Sequence, residues 1–144
     1  MRRMFGVAVV LLLALVAFAA PASGQTRGTS RDRGFQLEQN YPNPFNPETR
    51  IPFRLDQVLF QEGKPVVVSL TIYNTLLQPV AVPTALQHPA GAVRIEQLVY
   101  PAPGRYEAYW DGKDKDGNKV ASGIYLYQLV VNGRRTMHKM VVAN

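Results

Sequence analysis

The sequence predicts an all-β sandwich of about seven short antiparallel strands. Three observations predict it. From Phe35 onward no stretch repeats its apolar residues at the helical period. Short runs that alternate at period two, separated by Gly- and Pro-rich turns, take its place. Near the end, Asn132-Gly133 stands between two dense strand-like runs, the strongest short hairpin signal, because a type I′ turn needs positive φ at both positions.

Each element follows from its own pattern. Ile51, Phe53 and Leu55 alternate with Pro52, Arg54 and Asp56; the proline cannot donate to a ladder, so this run is expected at a sheet edge. Over 66–73, Val66, Val68, Leu70 and Ile72 point one way and Ser69 and Thr71 the other. Pro79 to Pro83 is a short strand clipped by prolines. From Ala92 to Tyr100, Val93, Ile95, Gln97 and Val99 alternate with Arg94, Glu96, Leu98 and Tyr100. Arg105 to Trp110 places Tyr106, Ala108 and Trp110 on one face, Glu107 and Tyr109 on the other. A two-residue turn at Asn132-Gly133 pairs Val131 with Arg134, Leu129 with Thr136, Tyr127 with His138 and Tyr125 with Met140. Ile124 to Val131 has no clean polar face; such a strand lies centrally or has its outer face covered.

Ahead of this body the chain carries an address. Met1-Arg2-Arg3 is a basic head, and Met4 to Ala20 is uncharged and almost wholly apolar. Pro21 to Gln25 follows, with small residues at Ala22 and Gly24. That order describes a secretory signal peptide, residues 1–24, cut after Gly24. The alternative is an uncleaved anchor, but a spanning helix wants roughly 20 apolar residues. Residues 25–34 (Q-T-R-G-T-S-R-D-R-G) hold nothing apolar and form a flexible linker. Residues 35–144 are the folded domain.

Composition narrows the function. The 144 residues carry 16 Lys and Arg against 10 Asp and Glu, a formal charge of +6, with no Cys and two His. Without cysteine there is no disulfide, thiol nucleophile or thiolate metal site. Removing residues 1–24 takes Arg2 and Arg3 with it and leaves 120 residues at +4. The remaining cations are scattered, whereas a nucleic-acid binder concentrates them; no nucleic-acid partner is expected.

No constellation for catalysis stands out. Asp111, Asp114, Asp116 and Asn118 invite a calcium reading. Aligning Gly117 with the glycine of a calcium loop puts Gly112 at the first ligand position and Gly123 where a bidentate Glu belongs. Lys113, Lys115 and Lys119 also oppose a cation, so 111–118 reads as a tight loop between strands. Ser122 lacks the first glycine of a nucleophile elbow. His88 lies in a turn, and His138 is a surface or half-buried strand residue. The expectation is no enzyme, no metal, no cofactor and no small-molecule substrate. Trp110 is expected in the core. Tyr125 and Tyr127 are core or contact residues, since an amphipathic ring suits either; with Lys139, Val141 and Val142 they are the candidates for partner contact.

Three segments carry a resemblance: Q-N-Y-P-N-P-F-N-P at 39–47, W-D-G-K-D at 110–114 and V-A-S-G-I-Y-L-Y at 120–127. Together, and in this order, they resemble the carboxyl-terminal sorting domain of type IX secretion substrates, type A, and the related immunoglobulin-like domain of the flagellar hook-capping protein FlgD. The resemblance runs from about Leu37 to Asn144. It implies an immunoglobulin-like sandwich, export through the inner membrane, recognition by the outer-membrane secretion machinery, and display at the cell surface or release. A structural or adhesive module that binds a protein or glycan, or itself, through an open strand edge is the alternative. The matched residues imply structural roles. Tyr41, Pro42, Asn43, Pro44, Phe45, Asn46 and Pro47 form an extended, turning entry. Trp110 is a plug at a strand end, Asp111, Gly112 and Gly117 close the following loop, and Ser122, Gly123 and Tyr125 return the chain to the sheet.

Overall fold

The computed structural model describes residues 34–144; the expected signal peptide and the expected linker up to residue 33 lie outside the described residues. Gly34, assigned above to the linker, belongs to the folded body: it is buried and its carbonyl accepts the Asp56 N–H at 2.8 Å.

Among the described residues nine strands form in chain order: β1 (Phe35–Leu37), β2 (Thr49–Leu55), β3 (Val66–Tyr73), β4 (Pro79–Ala81), β5 (Thr84–Ala85), β6 (Leu98–Tyr100), β7 (Gly104–Trp110), β8 (Gly123–Val131) and β9 (Arg134–Val142). They build two antiparallel sheets, one of four strands ordered β1-β2-β7-β5, one of five ordered β4-β3-β8-β9, with β6 also paired to β3. The protein is therefore an all-β sandwich. Two strands form beyond the seven expected: β1, which pairs with β2, and β5, just beyond Pro83, which joins β7 in one sheet while β4 joins β3 in the other.

The core is the pair of inner faces. Phe35, Leu37, Ile51, Phe53 and Leu55 come from the four-stranded sheet, and Val66, Val68, Leu70, Ile72, Tyr127, Leu129 and Met140 from the five-stranded one. β3 shows strict alternation, every second residue buried, as its sequence predicts. β8 lies centrally, between β3 and β9, which accounts for its missing polar face. The hairpin register matches the turn chemistry: Val131 pairs Arg134, Leu129 pairs Thr136, Tyr127 pairs His138 and Tyr125 pairs Met140. Asn132 and Gly133 both have positive φ, 48° and 82°.

Two expectations are corrected. β2 is an inner strand, between β1 and β7, despite Pro52. Within a strand, one residue's N and C=O point to the same side. The Pro52 carbonyl accepts from Glu38 N–H at 3.0 Å, so its donorless nitrogen faces the place where β1 has just ended, and no ladder bond to β7 is lost. The second concerns 92–100, where only Leu98–Tyr100 is a strand. Gln97 takes φ 49°, and this bend reverses the alternation. Ile95 and Tyr100 are buried and Val99 is exposed, although Ile95 and Val99 share one face of an unbroken strand.

Candidate functional site

The three motif segments meet at one end of the sandwich, around the end of β9. Trp110, the last residue of β7, is buried at 2% exposure. The Phe45 ring meets it edge-on with centroids 5.4 Å apart, and Tyr125 of β8 meets it at 6.0 Å. Its Nε1–H donates to the Lys113 carbonyl at 2.9 Å, tying the indole to its own following loop. Gly112 has φ +77°, and a Cβ there would overlap the Pro47 carbonyl oxygen. Glycine is required both by the dihedral and by the approach of the 39–47 segment.

That segment then closes the free side of β9. Phe45 N–H donates to Val141 O at 3.1 Å, and Ala143 N–H donates to Phe45 O at 3.0 Å. The Asn43 Oδ1 accepts the Val141 N–H at 2.9 Å, and Gln39 Nε2 donates to Lys139 O at 3.1 Å. On the other side, Ser122 Oγ accepts the Asn144 N–H at 2.9 Å, and Asn144 Nδ2 donates to Val120 O. The polar groups of the motif thus bond mostly to backbone, holding an edge strand in place.

The aspartates of 111–118 do the same for their loop. Asp111 Oδ1 accepts the Lys113 N–H, and Asp114 Oδ1 accepts those of Asp116 and Asn118, all near 3 Å. Gly117 lies at the tip with φ +81° and open space beside it. Ser122 is exposed, and Gly123 opens β8. Asn46 and Pro47 are exposed, as are Pro42, Asn43 and Pro44. The His88 ring accepts the Ala90 N–H and bonds Val99 O within its turn. His138 is half-buried, with its ring 5.8 Å from that of Tyr127.

Among the partner-contact candidates, three are corrected. Tyr127, Val142 and Tyr125 are buried, at 0%, 2% and 9% exposure. They alternate inward on β8 and β9, where the opposite sheet covers them. Lys139 and Val141 face outward and are exposed. The tyrosine hydroxyls serve the interior: Tyr127 O–H donates to Glu38 O at 2.8 Å and accepts the Asn40 N–H at 3.0 Å, while Tyr125 O–H donates to Ala121 O at 2.8 Å.

Sequence reasoning did not single out the three buried polar residues Asn40, Thr49 and Glu107. Asn40 is 2% exposed, and its Nδ2 donates to Thr49 Oγ1 at 3.0 Å; its only signal was its place in the 39–47 motif. Glu107 lies on the outer face of β7, as its alternation predicts, yet is only 7% exposed. Tyr41 O–H donates to it at 2.5 Å, Arg105 Nη1 donates at 3.1 Å, and Arg50 lies at 3.6 Å. The tyrosine bond, then the two guanidinium groups, hold the Glu107 carboxyl below its ordinary value of 4.5 against the opposing effect of burial. A carboxylate with a depressed folded-state pKa adds stability that is complete above the ordinary value and is lost as pH falls through the folded value. Tyr41→Phe should therefore cost about 1 kcal/mol at neutral pH. Urea titrations of both proteins should show that gap closing as pH falls below the ordinary carboxyl value and the Glu107 carboxyl is protonated. A gap independent of pH would mean the hydroxyl does not stabilise the charged carboxylate.

The fold and this end of it define a class: a two-sheet β domain in which a proline-rich entry segment and a tryptophan plug lock the outer end of the last strand. No protein-family model and no curated protein matches the chain. Among solved structures, dimeric latent PorU from Porphyromonas gingivalis is similar at 22% identity and a TM-score of 0.49, over 76% of this chain and 9% of that one. PorZ, described as an essential bacterial surface component of the type-IX secretion system of Porphyromonas gingivalis, is similar at 18% identity and a TM-score of 0.44, over 83% of this chain and 13% of that one. The chain thus spans about a tenth of the length of either protein.

Proposed function

We propose that this chain is an exported, non-catalytic binding domain of the sorting type, recognised by the outer-membrane secretion machinery through its carboxyl-terminal hairpin and then displayed at the surface or released. One observation carries the reading: the three motif segments, distant in sequence, converge on the end of β9 and hold it by backbone hydrogen bonds. A motif whose bonds fix an edge strand suits recognition of that strand. The exposed residues Lys139 and Val141, rather than Tyr125, Tyr127 and Val142, are the side chains that a partner would meet.

The test is a reporter fused ahead of residues 34–144 in a type IX-competent host. The reporter should reach the cell surface or the medium, and deletion of 135–144 should leave it in the periplasm. A full-length fusion that stays in the periplasm would overturn the reading.

A self-assembling or adhesive module is the second reading, favoured by the stretch of β9 edge beyond the clamp. Light scattering across a concentration series separates the two, since a sorting domain stays monomeric and a self-assembling one grows.

A further inference from the structure

The outer face of the four-stranded sheet carries a row of side chains that the hairpin does not use. Tyr41 bridges to Arg50 of β2, Arg50 pairs with Tyr109 of β7, Tyr109 pairs with Thr84 of β5, and Thr84 bridges to Arg94. Directly paired residues of antiparallel strands share one face. The chain neighbours Thr49, Ala85, Ile95, Ala108 and Trp110 are buried, so the row points outward. Neighbouring strands lie roughly 4.8 Å apart, and the five positions span roughly 19 Å across the sheet.

Both tyrosine rings are anchored at their hydroxyl ends. Tyr41 lies beside β2, yet its O–H reaches Glu107 of β7, on the far side of β2, at 2.5 Å. The ring therefore lies across β2 instead of standing off the sheet, and the residue is still 43% exposed. Tyr109 O–H donates to Glu48, just ahead of β2, so this ring leans toward the same strand from the other side. A cleft of about 120 Å³ is lined by both rings, with Arg50 and Glu48 in its wall. A second cleft, of about 280 Å³, lies beyond Tyr109, where Thr84, Arg94 and Glu96 face the 111–115 loop. Tyr109 lines both clefts. Charge is balanced in each. Arg50 is matched by Glu48 in the first; Arg94, Lys113 and Lys115 are matched by Glu96, Asp111 and Asp114 in the second.

From this row and its two clefts we infer that the outer face of the four-stranded sheet binds a neutral polysaccharide, with pyranose units seated on either side of Tyr109. Sugar hydroxyls both donate and accept hydrogen bonds, which suits a lining of guanidinium, ammonium and carboxylate groups. The C–H face of a pyranose is apolar and packs on an aromatic ring. Rings already held by Glu107 and Glu48 lose little freedom when a ligand covers them. A polyanion or a polycation meets no excess of the opposite charge. A peptide strand has no edge to join, because the row crosses β2 and β7, whose backbones are paired along this stretch. The site lies on the sheet opposite β9 and does not depend on the secretion reading.

The test is gel electrophoresis of protein purified from cells expressing the full chain, through gels holding one polysaccharide each. The neutral probes are laminarin, hydroxyethylcellulose, yeast mannan and dextran; alginate is the acidic one. At least one neutral probe should slow the protein, and added salt should leave the effect unchanged. Tyr109→Ala removes the ring common to both clefts and should weaken binding at least about tenfold. Arg94→Ala, an exposed change, should weaken it about fivefold, the loss of one hydrogen bond. Circular dichroism checks that both variants fold, and Arg94→Ala decides the matter if Tyr109→Ala does not. No retardation by any neutral probe would overturn the inference. So would equal retardation of wild type and both variants, which places the sugar elsewhere. Retardation by alginate alone, fading as salt rises, would overturn it in favour of a polyanion. Carboxymethylated lactalbumin, an unfolded chain, that binds wild type but not Tyr109→Ala, with no neutral probe bound, would overturn it in favour of a peptide.

Discussion

Trp110→Ala should lower the unfolding free energy by about 3–5 kcal/mol, the range for deleting a large buried aromatic. Against a total of roughly 5–15 kcal/mol for a domain of this kind, that is a large share. The indole touches Phe45 and Tyr125 and bonds Lys113 O, so its loss opens a cavity where all three motif segments meet. The damage should also spread to the strand they hold. Amide exchange at Val141 and Ala143, whose N–H groups bond Asn43 and Phe45, should accelerate more than exchange at Leu70 in the middle of β3. Chemical denaturation gives the first quantity and hydrogen exchange the second. A loss below about 1 kcal/mol, typical of surface changes, would mean that the ring is not a plug.

Gly112→Ala should cost about 3 kcal/mol or more, at the upper end for a single change. Two effects add. At φ +77° an L-residue costs about 1–2 kcal/mol relative to glycine. The new Cβ would also overlap the Pro47 carbonyl, and backbone cannot rotate aside as a flexible side chain does. The 39–47 segment must then lift from the loop, taking Phe45 with it. Gly117→Ala is the control. Its φ is +81°, but its Cβ would meet open space, so only the dihedral cost of about 1–2 kcal/mol remains. Equal losses at the two sites would show that the Pro47 approach is not tight. Together the variants separate the clamp from the loop that carries it, and a reporter fused to the Gly112→Ala domain would show whether export depends on the clamp.

Much of the architecture was legible because its causes are local. The Asn132-Gly133 turn sets the register of nine residue pairs, since a two-residue turn leaves one pairing. The alternation of β3 follows from period-two patterning with one covered face. The motif residues at 39–47, 110–114 and 120–127 were visible as a set, but their common purpose was not. That Phe45 forms a bridge to Val142, 97 positions along the chain, and that Pro47 rests on Gly112, are consequences of folding.

The amino-acid pattern by itself determined the all-β class, the hairpin and its register, and the positive φ at the turn, because each depends on neighbours a few residues away. Only the tertiary structure decided that Pro52 sits in an inner strand, that Gln97 breaks the 92–100 run, that Glu107 is buried beneath Tyr41, and that Tyr125, Tyr127 and Val142 point into the core while Lys139 and Val141 face out. Period two separates the two faces of a strand, but it cannot say which face a sheet built from distant residues will cover, and that covering determines which side chains remain for a partner to touch.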